Sequence, residues 1–137
     1  SVEFYVDSSS GSLLNSGLTP SSPLPTIGSA LAAAGASIGT VPVTINLAET
    51  YYGTSTGEAF PITLPAHGVS IEPYAAGGFG SLVVDGFGAM TSDVFVFDTY
   101  GNDQLPDSML RGLLILADDS AGGDTTAIRI EPTAAVV

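Results

Sequence analysis

The sequence predicts an all-β chain, a short stack of strands closed at one end by a helical lid. Three observations predict it. Val2-Glu3-Phe4-Tyr5-Val6 alternates apolar and polar, as a strand with one buried face does. Thr26-Ile27-Gly28-Ser29-Ala30-Leu31-Ala32-Ala33-Ala34 reads as one short apolar helix. Beyond it the pattern holds only strands and turns, and 17 Gly and 9 Pro supply the turns. A lone helix ahead of a long run of strands reads as a lid on a stack, and a stack has two ends.

Each element follows in order. After the first strand, residues 8–25 form a loop of Ser, Gly, Asn and Pro, with a turn at Asn15-Ser16-Gly17. Thr26 caps the helix, whose buried side carries Ile27, Ala30, Leu31 and Ala34, and Gly35 stops it. Residues 1–39 thus make the strand, loop and capping helix, and 40–137 make the strands and an apolar tail, all in a single domain. The strand at 41–47 puts Val43, Ile45 and Leu47 on one face and Thr44 and Asn46 on the other. Further strands are predicted at 60–64, 69–72, 81–85, 94–98, 113–117 and 127–131, bounded by Gly, Pro, Asn or Asp.

Spacing separates two architectures. Ile45 to Ile71 is 26 positions and Ile71 to Val96 is 25, while Ile62 to Val83 is 21. Two interleaved series of this kind resemble successive turns of a solenoid. Val83 to Ile115 is 32, which implies an insertion at 101–109. The alternative is a β-sandwich, since short strands separated by turns also read that way.

Composition excludes several functions. There are 14 acidic residues against Arg111 and Arg129, and no Lys, for a net charge of −12. Nucleic acid and anionic membranes need a basic face, so neither is an expected partner. Cations or cationic partners are compatible. The absence of Cys removes disulfides, thiolate metal sites and Cys nucleophiles. No stretch approaches the ~18 apolar residues of a membrane span. No signal peptide is visible, and a chain numbered from Ser1 fits a mature form after cleavage. The expected location is extracellular or at the cell surface.

Phe4-Tyr5-Val6-Asp7, Asn15-Ser16-Gly17, and a Pro-rich link into Thr26-Ile27 and Ala30-Leu31-Ala32-Ala33-Ala34 carry a resemblance. Together they resemble the N-terminal cap of right-handed parallel β-helix proteins of the pectate-lyase-like superfamily. Gly39-Thr40-Val41 is similar to the start of the first turn in those proteins. Glu49-Thr50-Tyr51 stands where many members have a Gly-Thr-Tyr-like element. Leu64-Pro65-Ala66-His67-Gly68-Val69-Ser70-Ile71 and Leu82-Val83-Val84-Asp85-Gly86 resemble the elements that follow. The resemblance implies a short right-handed parallel β-helix with one N-terminal capping helix. It also departs from the family, whose members usually continue for many more turns.

That resemblance implies polysaccharide chemistry, which the residues answer poorly. Lyases of this type need bases, and only Arg111, Arg129 and His67 are present. Hydrolases need paired carboxylates at a set separation. Asp118-Asp119 is such a pair, but His67 precedes it, whereas polygalacturonase-like relatives have their His after. No residue is therefore assigned a catalytic role. His67 reads as a turn residue. Gly77-Gly78-Phe79-Gly80 is a tight turn rather than a phosphate cradle. Asp118, Asp119 and Asp124 lie in a Gly-containing loop whose oxygens suit calcium, the one cofactor for which the chain offers ligands. A second acidic run is Asp98, Asn102, Asp103 and Asp107. Tyr51, Tyr52, Tyr74, Phe79, Phe87 and Tyr100 lie near turns, where aromatics pack or stack on sugars.

The functional expectation is an extracellular structural protein that assembles with copies of itself into a filament or surface layer. A stack with one lid leaves open strand edges, and this chain has no Lys to guard them. Val2 and Phe4 at one end, Val136 and Val137 at the other, and the two cations Arg111 and Arg129 are the expected assembly residues. The alternative is a module that binds or cleaves carbohydrate, and a third option is a trimeric surface spike.

Overall fold

The computed structural model describes residues 1–74, 82–87, 93–98, 102–117 and 126–131. Alternation makes the first strand, β1 (Val2–Val6), with Phe4 and Val6 buried and Glu3 exposed. The helix α1 (Ile27–Ala33) begins where the Thr26 hydroxyl accepts the Ser29 N–H at 3.0 Å, while the Ser29 hydroxyl accepts the Thr26 N–H at 3.1 Å. This reciprocal cap satisfies two backbone donors that a helix start leaves unpaired. It also explains why seven residues hold a helix that would not survive alone.

Nine strands follow: β2 (Val43–Leu47), β3 (Tyr51–Gly53), β4 (Ile62–Pro65), β5 (Val69–Pro73), β6 (Val83–Asp85), β7 (Phe95–Asp98), β8 (Met109–Leu110), β9 (Leu114–Leu116) and β10 (Ile128–Ile130). They are dealt to three sheets in rotation. The first sheet has the order β1-β2-β5-β8, the second β3-β6-β9 and the third β10-β7-β4. All pairings between these strands are parallel. The chain is thus all-β with parallel sheets and a single α-helix among the described residues. It does not form the two facing antiparallel sheets of the sandwich alternative. Parallel neighbours cannot be joined by two-residue hairpins, which is why the connections are long and uneven.

The register corrects the spacing argument. Ile45 does lie opposite Ile71, but the next residue in that row is Leu110, not Val96. Val96 belongs to β7 in the third sheet, where it pairs with Thr63. Ile62 and Val83, read as one series, lie in different sheets. Val83 and Ile115 do belong to paired strands, one position out of register: Val83 faces Leu114 and Val84 faces Ile115. Similar apolar patterns on all three faces let a period be counted across sheets rather than along one.

The core is the inward row of each face. Ile45, Leu47, Ile71, Leu64, Phe95, Tyr52 and Val84 are fully buried. The Tyr52 hydroxyl is kept inside by the carbonyls of Ala48 at 2.8 Å and Val6 at 3.1 Å, and burial pushes its pKa strongly up. The predicted insertion falls between β7 and β8. Its described part packs on the β4–β5 turn, with Gly68 N–H on Pro106 O at 2.7 Å and Ser108 N–H on Ala66 O at 2.9 Å.

Candidate assembly surface

The two ends of the stack differ. At the first coil, the outer edge of β1 is already occupied. Tyr5 N–H bonds Gly17 O at 2.7 Å, Leu24 N–H bonds Tyr5 O at 2.9 Å, and Asp7 N–H bonds Leu24 O at 2.9 Å. Beside this loop, α1 buries Ile27, Ala30 and Ala34 against the core. Leu31 packs at its margin.

A buried carboxylate latches that helix to the stack. Glu58, 4% exposed, accepts the Ile27 N–H at 2.8 Å and the Gly28 N–H at 2.9 Å, one on each oxygen. α1 has no acidic residue in its own first turn, so Glu58 supplies the negative charge from 30 residues away. Gly57, at φ +91°, turns the chain into position for it. Burial pushes the Glu58 pKa up, against the two N–H bonds that favour the anion. Sequence reasoning missed Glu58, because nothing local marks a distant carboxylate as a helix cap.

At the other end, β8, β9 and β10 are the terminal strands of their sheets, each paired on one side only among the described residues. The inward rows lose their cover there. In one row Ile62 and Phe95 are buried and Ile128 is 45% exposed. In the next, Leu64 is buried and Ile130 is 75% exposed. Met109, Leu114 and Leu116 add further exposed apolar surface. Only the exposed face of such a patch is unusual, since isolated surface leucines are common.

Both cations of the chain stand at this end. Arg129, in β10, reaches Asp93 at 2.9 Å and Glu131 at 3.0 Å. Asp93 also accepts the hydroxyl of Thr126 at 2.7 Å and its N–H at 3.1 Å. Those Thr126 bonds, aided by Arg129, hold the Asp93 carboxyl below its usual range. Arg111 follows β8 and lies 3.6 Å from Glu72. The two arginine side chains keep 63% and 53% of their surface exposed.

The other expected site residues scatter. Phe4 lies in the core at 6% exposure and Val2 packs beside it, so neither offers a free face to a partner. The expectations for Val136 and Val137, and for calcium at Asp118, Asp119 and Asp124, fall outside the described residues. Among the described residues no group of three or more His, Asp or Glu side chains is placed to hold a metal ion. His67 Nδ1 stands 3.2 Å from Asp107, where the 102–108 segment meets the turn. On the second sheet, the Tyr51 hydroxyl donates to Asp85 at 2.8 Å, and the Phe87 N–H bonds the other Asp85 oxygen at 2.8 Å. The bond to Asp85 pushes the Tyr51 pKa up.

Residues 10–102, more than half of the chain, match the family described as "Protein of unknown function (DUF1565)". No curated protein and no solved structure matches the chain.

Proposed function

The chain belongs to the DUF1565 family, and on that footing we propose that its three sheets are faces of a right-handed parallel β-helix of the pectate-lyase-like kind, acting as a structural protein that associates with its own copies through the last coil. The family is associated with parallel β-helix proteins, which agrees with the all-parallel pairing and the threefold rotation of strands. The observation that carries the functional reading is the unequal ends. One end has its edge and apolar face covered. The other leaves Ile128 and Ile130 exposed in rows whose earlier members are buried. Burying such surface is favourable by about 25 cal/mol per Å², and a second copy supplies the means. Sedimentation velocity over a concentration series tests this. The chain is expected to associate as concentration rises, and the double variant Ile128→Ser, Ile130→Ser to remain monomeric. A chain that stays monomeric at every concentration overturns the reading.

A second reading, carbohydrate binding, is favoured by one observation. Tyr51 and Phe87, 39% and 64% exposed, gather around the Asp85 carboxylate, and exposed aromatics beside a polar group suit sugar rings. Retention on acidic and neutral polysaccharides, with and without calcium, tests it. Equal elution of wild type and Tyr51→Ala from every matrix overturns it.

A further inference from the structure

We propose that a second copy docks head first, seating the leucine loop of its cap on the open last coil of its neighbour. The inference rests on the self-association reading above and names the surface that meets the last coil. Strand addition at the head is blocked, because the loop spanning 17–24 already takes up the outer edge of β1. A head contact must therefore be made by side chains. The head presents three. Leu13, Leu14 and Leu18 are 75%, 96% and 55% exposed.

Their loop is held in shape. Asn15 Nδ2 donates to Pro23 O at 2.8 Å, Ser12 N–H to Pro23 O at 3.1 Å, and Gly17 N–H to Ser22 O at 2.9 Å. An apolar knob on an ordered loop loses little conformational entropy when it docks. It matches the chemistry of the far end, where Leu114, Leu116, Ile128 and Ile130 stand exposed.

Charge favours this pairing over two tails meeting. Arg111 and Arg129, the chain's only cations, lie at the tail, whereas β1 at the head carries Glu3 and runs into Asp7. A tail-to-tail contact brings four guanidinium groups together. A head-to-tail contact sets two of them toward the acidic first coil, which steers association and fixes orientation. Such a contact joins two different surfaces and repeats without closing, so it generates a filament.

Complementation between variants decides it. Leu13→Ser with Leu14→Ser blocks the head and leaves the tail intact. Ile130→Asp blocks the tail and leaves the head intact. The altered side chains are largely exposed, so both variants are expected to melt as the wild type does. Where Ile130→Asp fails to fold, Ile128→Ser replaces it. Each variant alone is expected to be monomeric by sedimentation velocity, an equimolar mixture to form a 1:1 dimer, and the wild type to form filaments by electron microscopy. A head variant that still dimerises alone, beside a monomeric tail variant, means tails meet tails; that overturns this inference and leaves the self-association reading standing. A wild type that stays monomeric overturns both.

Discussion

Removing the Glu58 carboxylate tests how the cap is held. In Glu58→Ala two backbone donors, Ile27 N–H and Gly28 N–H, lose their acceptors, and Ile27 is fully buried. Hydrogen bonds to a charged group contribute roughly 1.5–3 kcal/mol each. Against them stands the cost of burying the carboxylate at 4% exposure, which alanine relieves. The bonds win on geometry, since each oxygen has its own donor under 3 Å. A net loss of about 2–4 kcal/mol follows. For a chain of this size 1 kcal/mol moves the melting temperature by roughly 3–5 °C. Calorimetry and urea titration both measure it. A Glu58→Ala chain within about 0.5 kcal/mol of wild type, inside the range of an ordinary surface change, refutes the latch.

The pH dependence gives a second readout. Burial raises the Glu58 pKa above the ordinary value of 4.5. The folded chain then binds the proton more readily than the unfolded one. Its contribution is fully present below the unfolded value and is lost as pH rises through the folded value. The stability advantage of wild type over Glu58→Gln is therefore expected to be largest near pH 4 and to shrink upward. An advantage that grows with pH means that the two N–H bonds outweigh burial, and refutes the sign argued here.

Three further outcomes follow from the same structure. Ile45→Ala, at a fully buried site between Phe4 and Ile71, is expected to cost about 2–5 kcal/mol by urea titration. A loss under 1 kcal/mol would mean that the row is not packed. Gly68 has φ +93°, and a methyl there would meet Leu105 Cδ1 at 2.7 Å, so Gly68→Ala is expected to cost roughly 1–3 kcal/mol. Amide exchange should rise across 102–108, the segment lying on that turn, and unchanged exchange counts against the contact. Asp93 is held below 3.8. Its stabilisation is present above that value and lost as pH falls through the lowered one. Asp93→Asn should flatten the acid limb of the stability curve, and an unaltered limb removes the assignment.

Much of the fold was legible because apolar alternation is local. β1 matches its predicted bounds, and the helix differs only by assigning Thr26 and Ala34 as its caps. The short strands β3 and β8 were missed. Two or three residues carry no period, and β3 includes Gly53. Sheet membership was not legible beyond the first pair, because residues at similar spacing face three directions. At the assembly surface, Arg111 and Arg129 stood out by rarity and do lie at one end. Val2 and Phe4 were expected at an interface because they open the chain, yet the loop and helix that follow fold back over them. Leu13 and Leu14 went unnoticed, since exposure of a leucine in a Ser-rich loop is a tertiary property.

The rows also explain why the open end needs charge to choose its partner. Ile128 occupies the register slot that Phe95 fills one coil earlier, and Ile130 the slot of Phe97. The last coil thus presents a surface built like the interior of the stack. In stacked architectures each unit interacts mainly with its nearest neighbours, so apolar contact alone accepts any coil or knob of matching shape. Discrimination has to come from groups that penalise the wrong partner. Arg111 and Arg129 are the only cations available for that task, and they sit where the choice is made. Reversing the Arg129 charge should therefore cost orientation before it costs apolar burial, because like charges facing across a contact are penalised whereas the isoleucines beside them are unchanged.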